Sequence, residues 1–314
     1  MLLLDLGVFN KKSHEVSSKE ATVWSVVWIS LSMIFSGVVY WVFNEADSHE
    51  LAVEKFTQYQ AAYWIEKALS VDNLFVFILV FGFFKVPKYL HHKVLFWGII
   101  GALIFRAIFI FAGVEIINLT FLPKMMVFGE FVRINVVMTL FGLFLIYAGI
   151  KSWGGGHADE EDEDYSNTAG ARLIKSFWKV SDNYDGDKFF TVQNGIKMAT
   201  PLLVVVSVIE FTDVLFAVDS IPAIFAISND PFILYTSNIF AILGLRSLYF
   251  LLANFIYMFS KLSYGLAVIL TFIGIKMLIA PWYHLPSPVS LSIVAGVLII
   301  SVIVSLLFPE KKKL

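Results

Sequence analysis

Five carboxylate residues lie deep within long apolar stretches of the sequence, where charged side chains are rare. They are Glu66, Asp72, Glu210, Asp213 and Asp219. An ionised carboxylate in the middle of a membrane costs roughly 2.5–3.5 kcal/mol on insertion scales, so such residues usually pair with a cation or line a polar site. Carboxylate oxygens suit Mg²⁺, Ca²⁺ or Mn²⁺, and they also bind protons in competition with metal. The five acids are therefore candidate ligands of a divalent cation.

Further polar side chains accompany these acids and could complete or balance a cation site. They are Ser70, Asn73 and Ser220, which offer oxygen atoms, and Lys67, Arg106 and Arg246, which are positively charged. An ideal helix places Glu66, Ser70 and Asn73 on one face, and it turns Asp72 about 120° away. Two interpretations remain open: the cations hold the acids ionised around an empty metal site, or they neutralise the acids as a structural ion-pair core.

A proline three residues after Asp219 predicts an interruption of the helix that carries this acid. Pro222 removes a backbone hydrogen bond and clashes with the carbonyl of Val218, which would free carbonyl oxygens beside Asp219. Unwound backbone next to carboxylates is how cation sites are built near the middle of membranes. By the repeat described below, we expect the same interruption at Asp72.

The composition of the chain indicates an integral membrane protein. Of 314 residues, 58% are hydrophobic and 15% charged, whereas soluble domains have about 45–50% apolar and about 25% charged residues. Eight apolar segments approach the roughly 20 residues that a membrane helix needs: 21–43, 58–84, 94–118, 135–151, 199–226, 237–259, 264–282 and 288–308. We therefore expect an all-α polytopic membrane protein with eight transmembrane helices, since spanning helices satisfy their own backbone hydrogen bonds.

The distribution of lysine and arginine predicts the orientation of these spans. Most basic residues of the loops fall on one side if the segment 1–20 is cytoplasmic, and the positive-inside rule then places the loop 152–198 and the tail Lys311–Lys313 inside as well. The predicted organisation is an N-terminal segment 1–20, a first span 21–43, a repeat 58–151, a cytoplasmic loop 152–198, a second repeat 199–282, and a last span with a basic tail, 288–314. In the loop, the acidic run 159–164 is interpreted as a charged linker, and Asn194-Gly195 predicts a β-hairpin.

Rare polar residues recur in the same order in the two halves of the chain. In each half, an acid and an aspartate six residues later precede one arginine in the next span and a Gly-Ile-Lys tripeptide in the span after it. The first set is Glu66, Asp72, Arg106 and 149–151, and the second is Asp213, Asp219, Arg246 and 274–276. Because each repeat has three spans, an odd number, the two halves are inverted. Inverted repeats with polar groups near the midplane are typical of secondary transporters.

Several classes of function are excluded or disfavoured by the residue types. The net charge of −2 gives no support for nucleic-acid binding. The absence of cysteine excludes disulfides and thiolate metal sites, and the six histidines lie in loops or at span ends, so a site for Zn²⁺, Cu or Ni²⁺ is poorly supported. Motifs of intramembrane proteases, such as His-Glu-x-x-His, are also missing. We therefore expect a protein that is not an enzyme and has no cofactor.

Four segments resemble the bacterial TerC family, and particularly its Alx-type members. They are 65–77 (IEKALSVDNLFVF), 209–228 (IEFTDVLFAVDSIPAIFAIS), 236–253 (TSNIFAILGLRSLYFLLA) and 261–279 (KLSYGLAVILTFIGIKMLI). The resemblance covers nearly the whole chain and implies a membrane fold like that of the LysE superfamily, in the bacterial inner membrane. It places the acidic family positions on the five acids named above. Family members usually have one more N-terminal span, and residues 2–9 are similar to its end.

The resemblance also implies a role in metal-ion homeostasis, because Alx-type members are regarded as manganese exporters. We expect a transporter that exports Mn²⁺ from the cytoplasm in exchange for protons, with the lipid bilayer, the metal ion and the proton as its partners. The family takes its name from tellurium resistance, and related members are tied to supplying manganese to exported metalloenzymes. The alternative is a membrane component of a tellurium-resistance or metalloprotein-secretion complex, acting through the loop 152–198 without transport activity of its own.

Overall fold

The computed structural model describes residues 18–127, 130–154, 164–193, 195–255, 262–283 and 285–308, and these are mainly helical. The helices are α1 (Ser18–Ala46), α2 (His49–Phe83), α3 (Lys88–Leu119), α4 (Val136–Gly154), α5 (Ala169–Phe177), α6 (Pro201–Phe225), α7 (Pro231–Ile242), α8 (Leu245–Phe255), α9 (Leu262–Ile279) and α10 (Ser287–Leu307). Two antiparallel hairpins join β1 (Met125–Val127) to β2 (Glu130–Val132), and β3 (Phe190–Gln193) to β4 (Ile196–Ala199).

Six helical segments among the described residues are long and apolar enough to cross a membrane. They are Lys19–Ala46, Lys88–Leu119, Val136–Trp153, Pro201–Phe225, Pro231–Ala253 and Ser287–Leu307, which correspond to six of the eight predicted spans. The other two predicted spans fall on α2 and α9. These two helices are not among the six for different reasons. Helix α2 is 35 residues long, but Glu66, Lys67 and Asp72 interrupt its apolar sequence, and the apolar part of α9, Tyr264–Ile279, is too short. The architecture is therefore an all-α polytopic membrane protein.

Local sequence signals set the ends of these helices. Ser48 caps α2, because its hydroxyl accepts a hydrogen bond from the backbone N–H of Leu51 at 3.2 Å. Asp230 caps α7 in the same way, since its carboxylate accepts from the N–H of Phe232 at 3.0 Å. Helices α6, α7 and α10 each have a proline in the first turn, where a missing N–H costs nothing.

The two interruptions predicted beside Asp219 and Asp72 are wrong. Helix α6 continues through Pro222 to Phe225, and α2 is continuous from His49 to Phe83. Pro222 is only three residues from the end of α6, so the backbone hydrogen bond that it removes lies in the last turn of the helix.

The helix break occurs instead in the span that carries Arg246. Helix α7 ends at Ile242 and α8 begins at Leu245, with Gly244 between them at φ +88°. This left-handed conformation suits glycine, which has no Cβ. A Cβ at Gly244 would also lie 2.7 Å from the Cβ of Trp28, so α1 packs closely against the break.

Helix α2 lies at the centre of the bundle and contacts α1, α6, α7, α8, α9 and α10. The most extensive contact between two helices is that of α4 with α9, and glycine makes their close approach possible. A Cβ at Gly274 would lie 2.6 Å from the carbonyl oxygen of Gly142, and one at Gly149 would lie 2.7 Å from the carbonyl oxygen of Ala267. Residue numbers rise along α4 from 142 to 149 while those of the contacting residues of α9 fall from 274 to 267, so the two helices run antiparallel.

The described part of the loop 152–198 is folded and rests on the helical bundle. The predicted hairpin is confirmed, because Gln193 pairs with Ile196 across the turn that contains Gly195; Asn194 lies outside the described residues. Helix α5 packs on α6, where the hydroxyl of Ser207 donates to the carbonyl of Gly170 at 3.0 Å.

Two loop carboxylates form hydrogen bonds that lower their pKa. Lys93 donates to Asp187 at 3.1 Å, and this hydrogen bond lowers the pKa of that carboxyl. Thr191 donates to Asp185 at 2.9 Å with the same effect on its pKa. The linker predicted at 159–164 falls outside the described residues except for Asp164, as do the segments 1–17 and 309–314, so the predictions about these segments stay predictions.

Candidate cation site

Arg106 of α3 joins acids that come from both halves of the sequence. Its Nη1 donates to Oε1 of Glu66 on α2, and its Nη2 donates to Oδ1 of Asp213 on α6 at 3.3 Å. All three residues are buried, with 1%, 0% and 3% of their surface exposed. This arginine thus faces the bundle interior, close to one acid from each half of the sequence.

Each of these two carboxylates keeps one oxygen that is not used in the ion pair. Oε2 of Glu66 and Oδ2 of Asp213 are buried and have no hydrogen-bond donor among the described residues. Buried polar atoms of proteins nearly always have a partner, so an unsatisfied oxygen calls for an explanation such as an ion, a proton or a water molecule. The two oxygens are therefore available to a ligand in addition to Arg106.

Glu210 lies one turn before Asp213 on α6, and its carboxylate packs against Gly101 of α3. A Cβ at position 101 would overlap this carboxylate, so the glycine provides the space that the acid occupies. Oε2 of Glu210 is likewise buried without a donor among the described residues. Three carboxylates from α2 and α6 thus face α3, with one guanidinium paired to two of them.

The smaller polar residues predicted to support the site are buried as well. Ser70 donates to Oε1 of Glu66 at 3.4 Å, and Asn73 follows one turn later at 5% exposure, which confirms the common face predicted for the three residues. Ser220 of α6 is 1% exposed. The side-chain nitrogen of Asn73 and the hydroxyl of Ser220 have no partner among the described residues.

Asn238 of α7 belongs to this cluster and was missed in the sequence analysis. Its Oδ1 accepts from Nη1 of Arg106 at 3.5 Å, and the residue is 1% exposed. An amide immediately before the apolar run from Ile239 to Leu243 is the signal that could have identified it, because unpaired polar groups are costly inside a membrane.

The two other cations lie near the break between α7 and α8. Lys67 donates to the carbonyl of Ala241 at 3.2 Å, in the last turn of α7, where a positive charge is favourable for the helix dipole. Arg246 is the second residue of α8 and is 8% exposed. Arg246 is therefore also buried in the bundle interior, and its predicted closeness to the acids stays a prediction.

The metal site itself is not established by this arrangement. No group of three or more His, Cys, Asp or Glu side chains that could hold a metal ion occurs among the described residues. The side chains of Asp72 and Asp219 lie outside the described part of the structure, although their backbone belongs to α2 and α6. The assignment of the five acids as ligands thus stays a prediction.

Comparison with known proteins gives the family. Residues 51–313 match the model of the integral membrane protein TerC family. An uncharacterized membrane protein of Myxococcus xanthus, STKORF319, is 45% identical over 307 residues, which cover 98% of this chain and 88% of the relative.

Other relatives carry the name Alx. Proteins described as proposed membrane-bound redox modulators, Alx, from Salmonella typhi and Escherichia coli K12 are 41% and 40% identical over 306 residues, covering 97% of this chain and 90% of each relative. No solved structure matches the chain. With matches along nearly its whole length, the chain belongs to the integral membrane protein TerC family.

Proposed function

We propose that this protein is a transporter for a divalent metal cation, and that it exports Mn²⁺ across the bacterial inner membrane in exchange for protons. The observation that carries the proposal is the meeting of Glu66 and Asp213 at Arg106 in the bundle interior. These two acids hold equivalent positions in the two halves of the sequence. A buried site built from equivalent residues of two repeats is the arrangement found in secondary transporters.

The packing of α4 against α9 supports the inverted repeat on which this proposal depends. Aligning the two Gly-Ile-Lys tripeptides places Gly142 on Ala267 and Gly149 on Gly274. Exchanging the two halves therefore replaces Gly142 by Ala267 and Gly274 by Gly149. The contact of Gly142 with Gly274 thus predicts a contact of Ala267 with Gly149, and both contacts occur. A pseudo-two-fold relation between antiparallel helices has this property, whereas unrelated helices would share it only by chance.

The charges of the cluster suit a divalent cation. Arg106 can balance only one of the two carboxylates that it pairs with, Glu66 and Asp213, so the cluster attracts further positive charge. An arriving metal would bind the free oxygens and compete with Arg106 for the paired ones. Protons would then release the metal, because a protonated carboxylate is a poor ligand.

Oxygen ligands serve Mn²⁺, Ca²⁺ and Mg²⁺ alike, so the choice of Mn²⁺ comes from the family resemblance. The redox role in the name of the Alx relatives fits the same proposal. These 314 residues contain no cysteine, so no thiol of this chain can take part in a redox reaction. A redox effect would act through the transported metal.

A scaffolding role without transport is the competing function, and the folded loop favours it. Helix α5 and the β3–β4 hairpin expose large apolar side chains, including Phe177 at 69% and Val192 at 68%. Exposed apolar residues of this kind are typical of contacts with a partner or a membrane surface. Transport by the isolated protein distinguishes the two functions.

The test is metal flux into liposomes that contain only the purified protein and lipid. A metal-sensitive dye inside the liposomes reports entry of Mn²⁺, Ca²⁺ or Mg²⁺, with and without a pH gradient. We expect Mn²⁺ flux that increases when protons can move in the opposite direction. Flux no higher than in protein-free liposomes would contradict transport and favour the scaffolding role.

Matched variants connect the flux to the cluster. Glu66→Gln and Asp213→Asn keep the side-chain shape but remove charge, and we expect each to lower Mn²⁺ flux at least tenfold, as the loss of an ionic ligand costs more than about 1.4 kcal/mol. Glu50→Gln and Asp182→Asn are the controls, because both residues are exposed, and they should retain full flux. Equal flux in all four variants would mean that the buried acids are structural.

A further inference from the structure

A cavity of about 350 Å³ lies at the end of the bundle where α2 and α4 begin and α6 and α9 end. Its walls include Gln58 of α2, Thr139 of α4 and Lys276 of α9. Glu66 is eight residues further along α2 than Gln58, about 12 Å at the helical rise of 1.5 Å per residue. The cavity is thus separate from the cluster around Arg106, and its volume lies in the range of ligand sites.

Most polar side chains of this cavity already use their hydrogen bonds within the protein. Gln58 donates to Glu54 at 2.8 Å and accepts from Ser228 at 2.8 Å. The amide of Asn135 donates to the carbonyl of Ile117 at 2.6 Å and accepts from the backbone N–H of Met138 at 2.9 Å. These groups hold the walls in place and have little capacity left for a ligand.

Lys276 differs from these residues because its ammonium group has no hydrogen-bond partner among the described residues. The residue is only 8% exposed and lines the cavity, yet it forms no hydrogen bond or ion pair with any described residue. Its Nζ is not fully enclosed by protein atoms, so its three donors and its charge are open to the cavity. An acceptor that enters the cavity would give this ammonium a partner that the described residues do not supply.

Arg133 contributes a second positive charge at the rim of the cavity. Its guanidinium lies 4.7 Å from the ring centroid of Phe121 and makes no hydrogen bond to the described residues. Glu54, the one carboxylate among the described lining residues, is exposed and accepts a hydrogen bond from Gln58. The lining thus has two cations with free donors against one carboxylate.

We propose that this cavity binds a small oxyanion, phosphate or carboxylate, with Nζ of Lys276 as the buried contact and the guanidinium of Arg133 as the contact at the rim. The ionised oxygens of an oxyanion accept hydrogen bonds, which matches the free donors of the lining. The oxyanion could be a dissolved ion or the headgroup phosphate of a lipid, because the cavity lies at one end of the membrane helices. The proposal does not depend on metal transport.

The experiment is isothermal titration of inorganic phosphate into the full-length protein in a phosphate-free maltoside detergent, at constant ionic strength kept with chloride. We expect saturable binding that Lys276→Met weakens at least tenfold, because a hydrogen bond to a charged group contributes roughly 1.5–3 kcal/mol. Lys276→Arg should retain binding. A second titration with short-chain phosphatidylglycerol identifies the lipid headgroup as the source if it binds and free phosphate does not.

Two further variants keep the test decisive if Lys276→Met does not fold. Arg133→Gln changes an exposed side chain, so it should fold and still bind phosphate several-fold more weakly. Lys124→Met removes an exposed lysine near the same end of the bundle that does not line the cavity, and it should bind as the wild type does. Binding of neither probe by the wild type, or equal binding in Arg133→Gln and Lys124→Met, would overturn the proposal.

Discussion

Arg106 connects three helices of the bundle through its side chain alone. Its guanidinium contacts Glu66 on α2, Asp213 on α6 and Asn238 on α7, while its own backbone belongs to α3. Buried ion pairs contribute little net stability when complete, but the loss of one partner leaves an uncompensated charge in a medium of low dielectric constant. We therefore expect removal of this arginine to lower the stability of the folded protein strongly.

We expect Arg106→Gln to destabilise the folded protein by about 3–5 kcal/mol, since two buried carboxylates lose their counter-charge. Thermal unfolding in detergent, followed by tryptophan fluorescence, measures this change. Lys124→Gln, which removes an exposed cation, should unfold at the wild-type temperature. The combination Arg106→Met, Glu66→Gln and Asp213→Asn should recover much of the stability but not Mn²⁺ flux. Wild-type stability of Arg106→Gln would show that the ion pairs are not important for folding.

Gly101 offers a test of Glu210 that leaves the acid itself unchanged. In Gly101→Ala the new methyl group would occupy the place of the Glu210 carboxylate, so the flexible acid should move while the helices stay in place. We expect Mn²⁺ flux to fall several-fold with little change in unfolding temperature. Gly37→Ala, where a Cβ meets nothing within 4 Å, should have normal flux. Normal flux in both variants would remove Glu210 from the proposed site.

The burial of these residues in the bundle interior could be predicted from the sequence, but the residues that they contact could not. Charged residues deep in apolar segments are expected to face the interior, and Arg106, Arg246, Glu66 and Asp213 do so. Which acid meets Arg106 depends on how α2, α3 and α6 pack. That packing joins residues 40 and 107 positions apart, and no local pattern in the sequence records it.

The close contact of α4 and α9 depends on the absence of side chains at a few positions. We expect Gly274→Ala to destabilise the protein by about 1–3 kcal/mol, because the added methyl group meets the backbone of α4, which cannot move aside as a side chain would. Thermal unfolding measures the effect. Gly296→Ala in α10, with nothing within 4 Å of its Cβ, is the control and should be at least as stable as the wild type. Equal stability of the two variants would contradict this account.

The break between α7 and α8 depends on Gly244 for both its backbone angle and the space it leaves. From the sequence alone, Pro222 is the stronger signal of an interruption, because proline removes a backbone hydrogen bond, whereas a single glycine in an apolar span is common in membrane helices. We expect Gly244→Ala to cost about 1–2 kcal/mol from its positive φ and more from the contact with Trp28. Gly195→Ala has a similar φ, +77°, with open space around it, so thermal unfolding of the two separates the contributions. If Gly195→Ala were the more destabilising, the contact with Trp28 would be unimportant.

The molecule as a whole should place its folded loop in the cytoplasm, as the distribution of basic residues predicts. The chain has no cysteine, so Asp47→Cys and Asp182→Cys each introduce one thiol at an exposed position. A maleimide that cannot cross membranes should label Asp47→Cys on intact cells, and it should label Asp182→Cys only after permeabilisation. The reverse pattern would invert the topology and with it the proposed direction of export.

Two neighbouring residues of α2 fix that helix against rotation. Glu66 binds Arg106 on α3 and Lys67 binds the end of α7, and consecutive residues point about 100° apart around a helix axis. Turning α2 in either direction would break both contacts at once. If the protein transports metal as proposed, we therefore expect the change between inward and outward access to come from the surrounding helices tilting about α2, and not from rotation of α2 about its own axis.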